Sequence, residues 1–108
     1  MIFIVVKFPV RPELADQWLT LVDDFTTATR AEPGNLFFEW SRSVDDPLEY
    51  VLVEGFADGA AEAHVSSPHF AAAIDTLSRA VSATPKIISL SGVAQDGWNE
   101  MGEISPRP

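Results

Sequence analysis

The chain contains no cysteine among its 108 residues. This absence excludes disulfides, thiolate zinc sites, iron–sulfur clusters and a cysteine nucleophile. Many small secreted domains depend on disulfides, and the N-terminal residues show neither a basic leader nor a small-residue cleavage site. We therefore expect a cytoplasmic location.

Basic residues are scarce: seven Lys and Arg stand against sixteen Asp and Glu, for a formal net charge of −9. A surface of this sign repels phosphate backbones and anionic lipids. No segment approaches the roughly 20 apolar residues that cross a bilayer. We expect neither a nucleic-acid nor a membrane partner.

Nucleotide and metal signatures are also missing. The chain has no GxGxxG, no P-loop and no HExxH pattern. Its two histidines, His64 and His69, stand five positions apart across a predicted helix break, so they do not form the i, i+4 pair of a zinc helix. We expect no cofactor and no metal.

The composition is that of one compact domain, since 46% of the residues are hydrophobic. The order of the predicted elements indicates the α+β class. Extended runs rich in β-branched and aromatic residues alternate with helical apolar stripes, and Pro and Gly punctuate them. Strands are predicted at 2–10, 36–44, 49–56 and 86–94, and helices at 12–31, 59–65 and 68–83.

This order predicts a ferredoxin-like βαββαβ fold with a four-stranded antiparallel sheet and both helical segments on one face. The other face would expose large apolar side chains, which monomers rarely tolerate. We therefore expect a homodimer that pairs two sheets, with Trp98 of the polar tail at 95–108 docked on the partner.

An ordered set of motifs resembles the antibiotic biosynthesis monooxygenase domains, which are dimeric α+β-barrel proteins. The resemblance covers most of residues 1–94, and the set includes Glu32-Pro33-Gly34, Glu39, Arg42-Ser43, Asp46-Pro47, Val51-Leu52-Val53-Glu54 leading to Phe56, Ala57-Asp58, Ala63-His64 and Ser67-Pro68-His69-Phe70. The resemblance implies dimerisation through the sheets and an apolar pocket between sheet and helices. The tail at 95–108 lies outside it.

His64 is the candidate catalytic base, because histidine titrates near neutral pH and this one matches the family motif. The competing interpretation is that it caps or packs at the end of the short helix. His69 is a candidate for substrate contact or, equally, a surface histidine.

Aromatic residues concentrate in the predicted hairpin, where they could stack on a flat ligand or simply fill the core. Trp40, Phe56 and, in the last helix, Phe70 are the candidate binding residues. Glu39 and Glu54 on paired strands could form an acid/base couple. We expect instead that each meets an arginine such as Arg42 or a backbone donor.

The family includes oxygenases that act on phenolic polyketides and quinols without metal or flavin, and others that degrade haem. Here the stretch after Phe70 is Ala71-Ala72-Ala73-Ile74, without the histidine that ligates haem iron in those members. The resemblance implies a cofactor-independent monooxygenase acting on a planar phenolic, quinol or polyketide-like aromatic. A non-catalytic dimer that binds a small apolar ligand, and an isomerase or lyase acting on a small carbonyl compound, are the alternatives.

Overall fold

A computed structural model describes residues 1–108 and contains one four-stranded antiparallel sheet in the order β2-β3-β1-β4. Its strands are β1 (Ile2–Pro9), β2 (Asn35–Arg42), β3 (Glu49–Phe56) and β4 (Lys86–Leu90). The predicted ferredoxin-like fold is confirmed. Within one chain the sheet is open, so the barrel of the dimeric α+β proteins would need a second sheet.

The first helical segment is divided, where the sequence predicts one continuous helix. It consists of a 3-10 helix (Pro12–Gln17), α1 (Trp18–Leu21) and α2 (Asp23–Arg30). The division falls at Val22, whose φ of −98° and ψ of 5° leave the helical region. The Thr26 hydroxyl donates to the Val22 carbonyl at 2.7 Å, which satisfies the backbone at this bend.

The second helical segment breaks as predicted, into α3 (Ala61–Val65) and α4 (Pro68–Ala80). Ser67 makes the break: its hydroxyl accepts from the Phe70 amide at 3.1 Å and donates to the His64 carbonyl at 2.6 Å. The last helix ends three residues earlier than expected, because Val81 is extended and pairs with Val10. None of the helices has the length and hydrophobicity that spanning a bilayer requires.

The helices cover one face of the sheet, here called the inner face. One end of this face is filled by aromatic rings and is called the closed end, defined by Trp18, Trp40 and Tyr50. Trp18 is fully buried, stacks on Tyr50 at 5.7 Å between ring centroids and meets Trp40 edge-on at 5.7 Å. These contacts make the closed end the anchor of the hydrophobic core.

The opposite, outer face carries no helix. Its apolar side chains follow from the strand register and are Phe3, Val5, Phe37, Val51, Val53, Ile88 and Leu90. The first part of the tail folds back over one corner of this face, where Trp98 lies 5.7 Å from the Phe37 ring and donates to Glu39 at 3.0 Å. Trp98 thus contacts its own subunit, and its contact with a partner stays a prediction.

Candidate active site

A cavity of about 280 Å³ lies between the inner face and the helices α3 and α4. Eleven of its thirteen lining residues are hydrophobic, and the two polar ones are His64 and Glu54. Its open rim consists of Val65, Ile74 and Ile87, each exposed over half or more of its surface. A mostly apolar cavity with a few convergent polar groups is the usual form of a small-molecule site.

His64 projects from α3 and is buried, with its ring 4.7 Å from the ring of Phe56 and 5.2 Å from that of Phe70. Its Nδ1 lies 2.7 Å from the carboxylate oxygen Oε2 of Glu32. Since a carboxylate only accepts, this contact assigns the proton to Nδ1 and leaves the Nε2 lone pair without a protein partner. A histidine held in this tautomer can accept a proton at Nε2.

Glu32 bridges both histidines, because its Oε2 also lies 2.6 Å from Nε2 of His69 at the start of α4. The Glu-Pro-Gly turn brings it there. A Cβ on Gly34 would stand 2.2 Å from the Cβ of Ala60, just before α3. Only glycine allows this close approach, which brings Glu32 to His64.

The three groups also have the donor types of a metal site. One ligand atom from each of Glu32, His64 and His69 lies within 4.8 Å of the others. Two imidazoles and a carboxylate suit a borderline divalent cation. The same atoms satisfy one another through two hydrogen bonds without an ion, and the absence of a bound metal stays a prediction.

Glu54 lies on the inner face of β3 and is only 6% exposed. Burial, and secondly the negative charge of Glu32, raises the pKa of its carboxyl group to about 7. The expected arginine or backbone partner is wrong for this residue, because Arg42 binds Asp16 and the Pro47 carbonyl instead. The carboxyl group takes part in none of the protein's hydrogen bonds or ion pairs and faces the cavity.

The possible couple of Glu39 and Glu54 does not exist. Glu54 is opposite Phe38 in the β2–β3 register and Glu39 is opposite Val53, so the two carboxylates project from opposite faces of the sheet. Glu39 accepts from the Trp98 indole on the outer face.

The candidate residues do not all meet at the cavity. His64 and Phe70 line it, whereas His69 lies outside its lining and binds Glu32, which also binds His64. Phe56 is fully buried behind the His64 ring. Trp40 lies outside the cavity at the closed end, where its indole donates to the Thr26 hydroxyl at 2.9 Å.

Sequence reasoning missed two members of the site. The sequence pattern places Glu32 in a turn motif and Phe25 within the helix predicted at 12–31, and neither pattern indicates a role in the site. Phe25 lines the cavity and lies 5.7 Å from the His64 ring. No local pattern identifies Glu32 as a member of the site, because its contact with His64 joins residues 32 positions apart.

Comparisons with known proteins agree with this architecture. A structure from Deinococcus radiodurans, provisionally described as an antibiotic biosynthesis monooxygenase, is 26% identical, with 94% of this chain and 100% of that chain covered and a TM-score of 0.78. Structures with the same provisional description are similar in fold. The one from Nitrosomonas europaea has 24% identity, coverage of 86% and 99% and a TM-score of 0.77. The one from Caulobacter crescentus has 24% identity, with 85% of this chain and 89% of that chain covered and a TM-score of 0.77.

No protein of curated function matches the chain in sequence. The family model described as antibiotic biosynthesis monooxygenase matches residues 1–76, which include β1 to β3, the Glu-Pro-Gly turn and both histidines. This match covers well over half of the chain and contains every polar group of the cavity. The chain therefore belongs to the antibiotic biosynthesis monooxygenase family.

Proposed function

We propose that the chain is a cofactor-independent monooxygenase that oxidises a planar phenolic, quinol or polyketide-like aromatic. The observation that carries the proposal is the placement of a buried, carboxylate-oriented histidine in the wall of a mostly apolar cavity. This arrangement combines a base with a mostly apolar site that disfavours water.

The proposed reaction uses the substrate's own electrons. Nε2 of His64 removes a proton from an activated CH₂ group beside a phenolic ring, and the resulting carbanion adds to O₂ as a C–O bond forms. The peroxide anion takes the proton back from His64, and loss of water then leaves a carbonyl group. One CH₂ and one O₂ become one C=O and one H₂O, a four-electron oxidation of the carbon.

The other residues would position the substrate and the His64 ring. Phe70 presents its ring to the cavity and would hold a flat substrate beside His64. Glu32 would keep the His64 proton on Nδ1, and His69 would hold Glu32 in place through the second hydrogen bond. Phe56 would support the imidazole from behind.

Oxygen uptake with anthrones and hydroquinones, under a metal chelator and without flavin, tests the proposal. We expect uptake above the spontaneous rate, and His64→Ala to reduce it about 100-fold or more, the usual contribution of a positioned base. Glu62→Gln, an exposed change on the same helix, is the matched control and should leave the rate unchanged.

Three outcomes would contradict the proposal. Uptake equal to the spontaneous rate removes the enzyme activity. A ligand that saturates the protein and returns unchanged indicates a binding protein, and a product formed without oxygen indicates an isomerase or lyase.

We also propose that the outer face pairs with a second copy of the chain. Ile88 and Leu90 are more than half exposed there, beside the valines of β1 and β3. Pairing two such faces could bury about 2,000 Å², the scale of an obligate dimer.

Light scattering tests the pairing, with Ile88→Glu as the disrupting variant and Ile87→Glu as its control on the inner face of the same strand. We expect twice the chain mass for the natural protein and the control, and about 12 kDa for Ile88→Glu. A natural protein of 11.8 kDa in solution would exclude the dimer.

A further inference from the structure

The Glu54 carboxyl group is the one cavity-lining polar group that the proposed reaction does not use. It is buried, it has no hydrogen-bond partner in the protein, and its atoms are not sealed off, since the fully enclosed polar atoms without partners are Trp18 Nε1 and Thr29 Oγ1. Glu54 therefore opens onto the cavity. A polar group kept unpaired in an apolar wall costs stability and so calls for a partner from outside the protein.

The surroundings of Glu54 favour its neutral form. Its cross-strand neighbours on the inner face are Ile4 on β1 and Phe38 on β2, which are apolar. The titratable groups on its helix side are His64, which lines the same cavity, and the Glu32–His69 pair behind it. The negative charge of Glu32 disfavours ionisation of Glu54, and no nearby cation offsets this effect. A neutral carboxylic acid is both a donor and an acceptor.

We propose that Glu54 is a specificity-determining residue that donates a hydrogen bond to a carbonyl oxygen of the ligand, so that the cavity selects flat hydroxy-ketones over plain phenols. This inference rests on the proposed function only in taking the cavity as the ligand site. The reacting CH₂ group of the ligand faces His64, and the carbonyl end faces Glu54. All other lining residues are apolar, so a carbonyl group placed elsewhere in the cavity would lose its water without gaining a partner.

Binding of two matched ligands tests the selection. Hydroxytetralone and hydroxytetralin have the same ring skeleton and the same phenolic hydroxyl, and they differ only in one carbonyl group. Calorimetry at about pH 6, where Glu54 is mostly neutral, should show hydroxytetralone binding about tenfold more tightly, the effect of one buried hydrogen bond. Glu54→Leu should abolish this preference while hydroxytetralin still binds.

The amide of Glu54→Gln supplies a donor that does not titrate, and this gives a second readout that does not depend on the leucine variant folding. In the natural protein the preference for hydroxytetralone should fall as the pH rises from about 6 to about 8, because the ionised carboxylate can no longer donate. In Glu54→Gln the preference should be present and should change less over the same range. The ionisation of the phenol itself is common to both proteins and cancels in the comparison.

The failures of the two proposals are distinguishable. If neither ligand binds, the cavity is not a site for such aromatics, and both proposals fall. If both bind with equal affinity to the natural protein, or if Glu54→Leu keeps the preference, the role of Glu54 is wrong and the ligand site remains.

Discussion

The two ends of the inner face are built from the same strands and yet differ in kind. At the closed end Trp18, Trp40 and Tyr50 fill the space with rings, and the Tyr50 hydroxyl donates to the Ala15 carbonyl at 2.8 Å. At the cavity end the sheet carries Glu54 and the helices carry His64, with space left between them. Ring packing fills one end of the face, and the buried ionisable groups Glu54 and His64 lie at the other end, beside the cavity.

The largest loss of stability is expected when an aromatic ring is removed from the closed end. Trp18→Ala removes a fully buried indole, and we expect a loss of about 3–5 kcal/mol in the free energy of unfolding. Urea denaturation measures it. Trp18→Phe keeps a ring and also removes an indole N–H that has no hydrogen-bond partner, so it should cost clearly less. Equal losses in the two variants would show that packing at this end is not the anchor.

Removing the ionisable carboxyl group of Glu54 at the cavity end should have the opposite effect and stabilise the protein at high pH. The folded state raises the pKa of Glu54 from 4.5 to about 7, so between these values the folded chain binds more protons than the unfolded chain, and stability falls as the pH rises. At about 1.4 kcal/mol per pKa unit, the ionised side chain costs about 3 kcal/mol at pH values above both.

Glu54→Gln should therefore be more stable than the natural protein above about pH 7 and close to it near about pH 5. Urea denaturation at several pH values measures the difference. A natural protein and a variant with parallel pH profiles would contradict the raised pKa.

The close contact between the Glu-Pro-Gly turn and the residue before α3 can be tested by moving a methyl group from Ala60 to Gly34. Gly34→Ala places a Cβ 2.2 Å from that of Ala60, and we expect a loss of about 1–3 kcal/mol and a weaker contact of Glu32 with His64. Gly34→Ala combined with Ala60→Gly should recover part of that loss. Thermal melting of the single and double variants measures the coupling. Additive losses would show that the two residues do not meet.

The smallest change in stability is expected for Glu32→Gln, at about 1 kcal/mol, because the amide still fills the same space. Removing the charge of Glu32 should lower the pKa of Glu54 from about 7, although burial, the larger cause, keeps it above the ordinary value. Carbon NMR titration of the Glu54 carboxyl measures this, with Glu62→Gln as the control. An unchanged titration would show that Glu32 does not act on Glu54.

Local pattern was enough for the existence of the four strands and for part of the site, although β4 ends at Leu90, four residues before its predicted end. The bounds of β3 are those that its alternation of apolar residues predicts, and the same alternation puts Glu54 among Leu52 and Phe56. Ser67 and Pro68 mark the break that presents His64 and Phe70. These features depend on neighbours a few residues away.

The remainder depends on contacts between distant parts of the chain. Glu32 meets His64 only because Gly34 allows the turn to touch the residue before α3, and no local pattern encodes that approach. Local pattern also cannot show at which end of the inner face Trp40 lies. It shares the inner face with Glu54, but the packing of α1 and α2 decides which end of the face is filled.

The position of the cavity's rim has a kinetic consequence. Val65, Ile74 and Ile87 place the opening between the helices and the β4 edge, whereas the outer face lies on the other side of the sheet. A molecule that covered the outer face would reach this opening only by extending around the edge of β4. If two copies pair through the outer face as proposed, the opening stays accessible, and we expect the residence time of a ligand in the cavity to be the same when the protein is diluted.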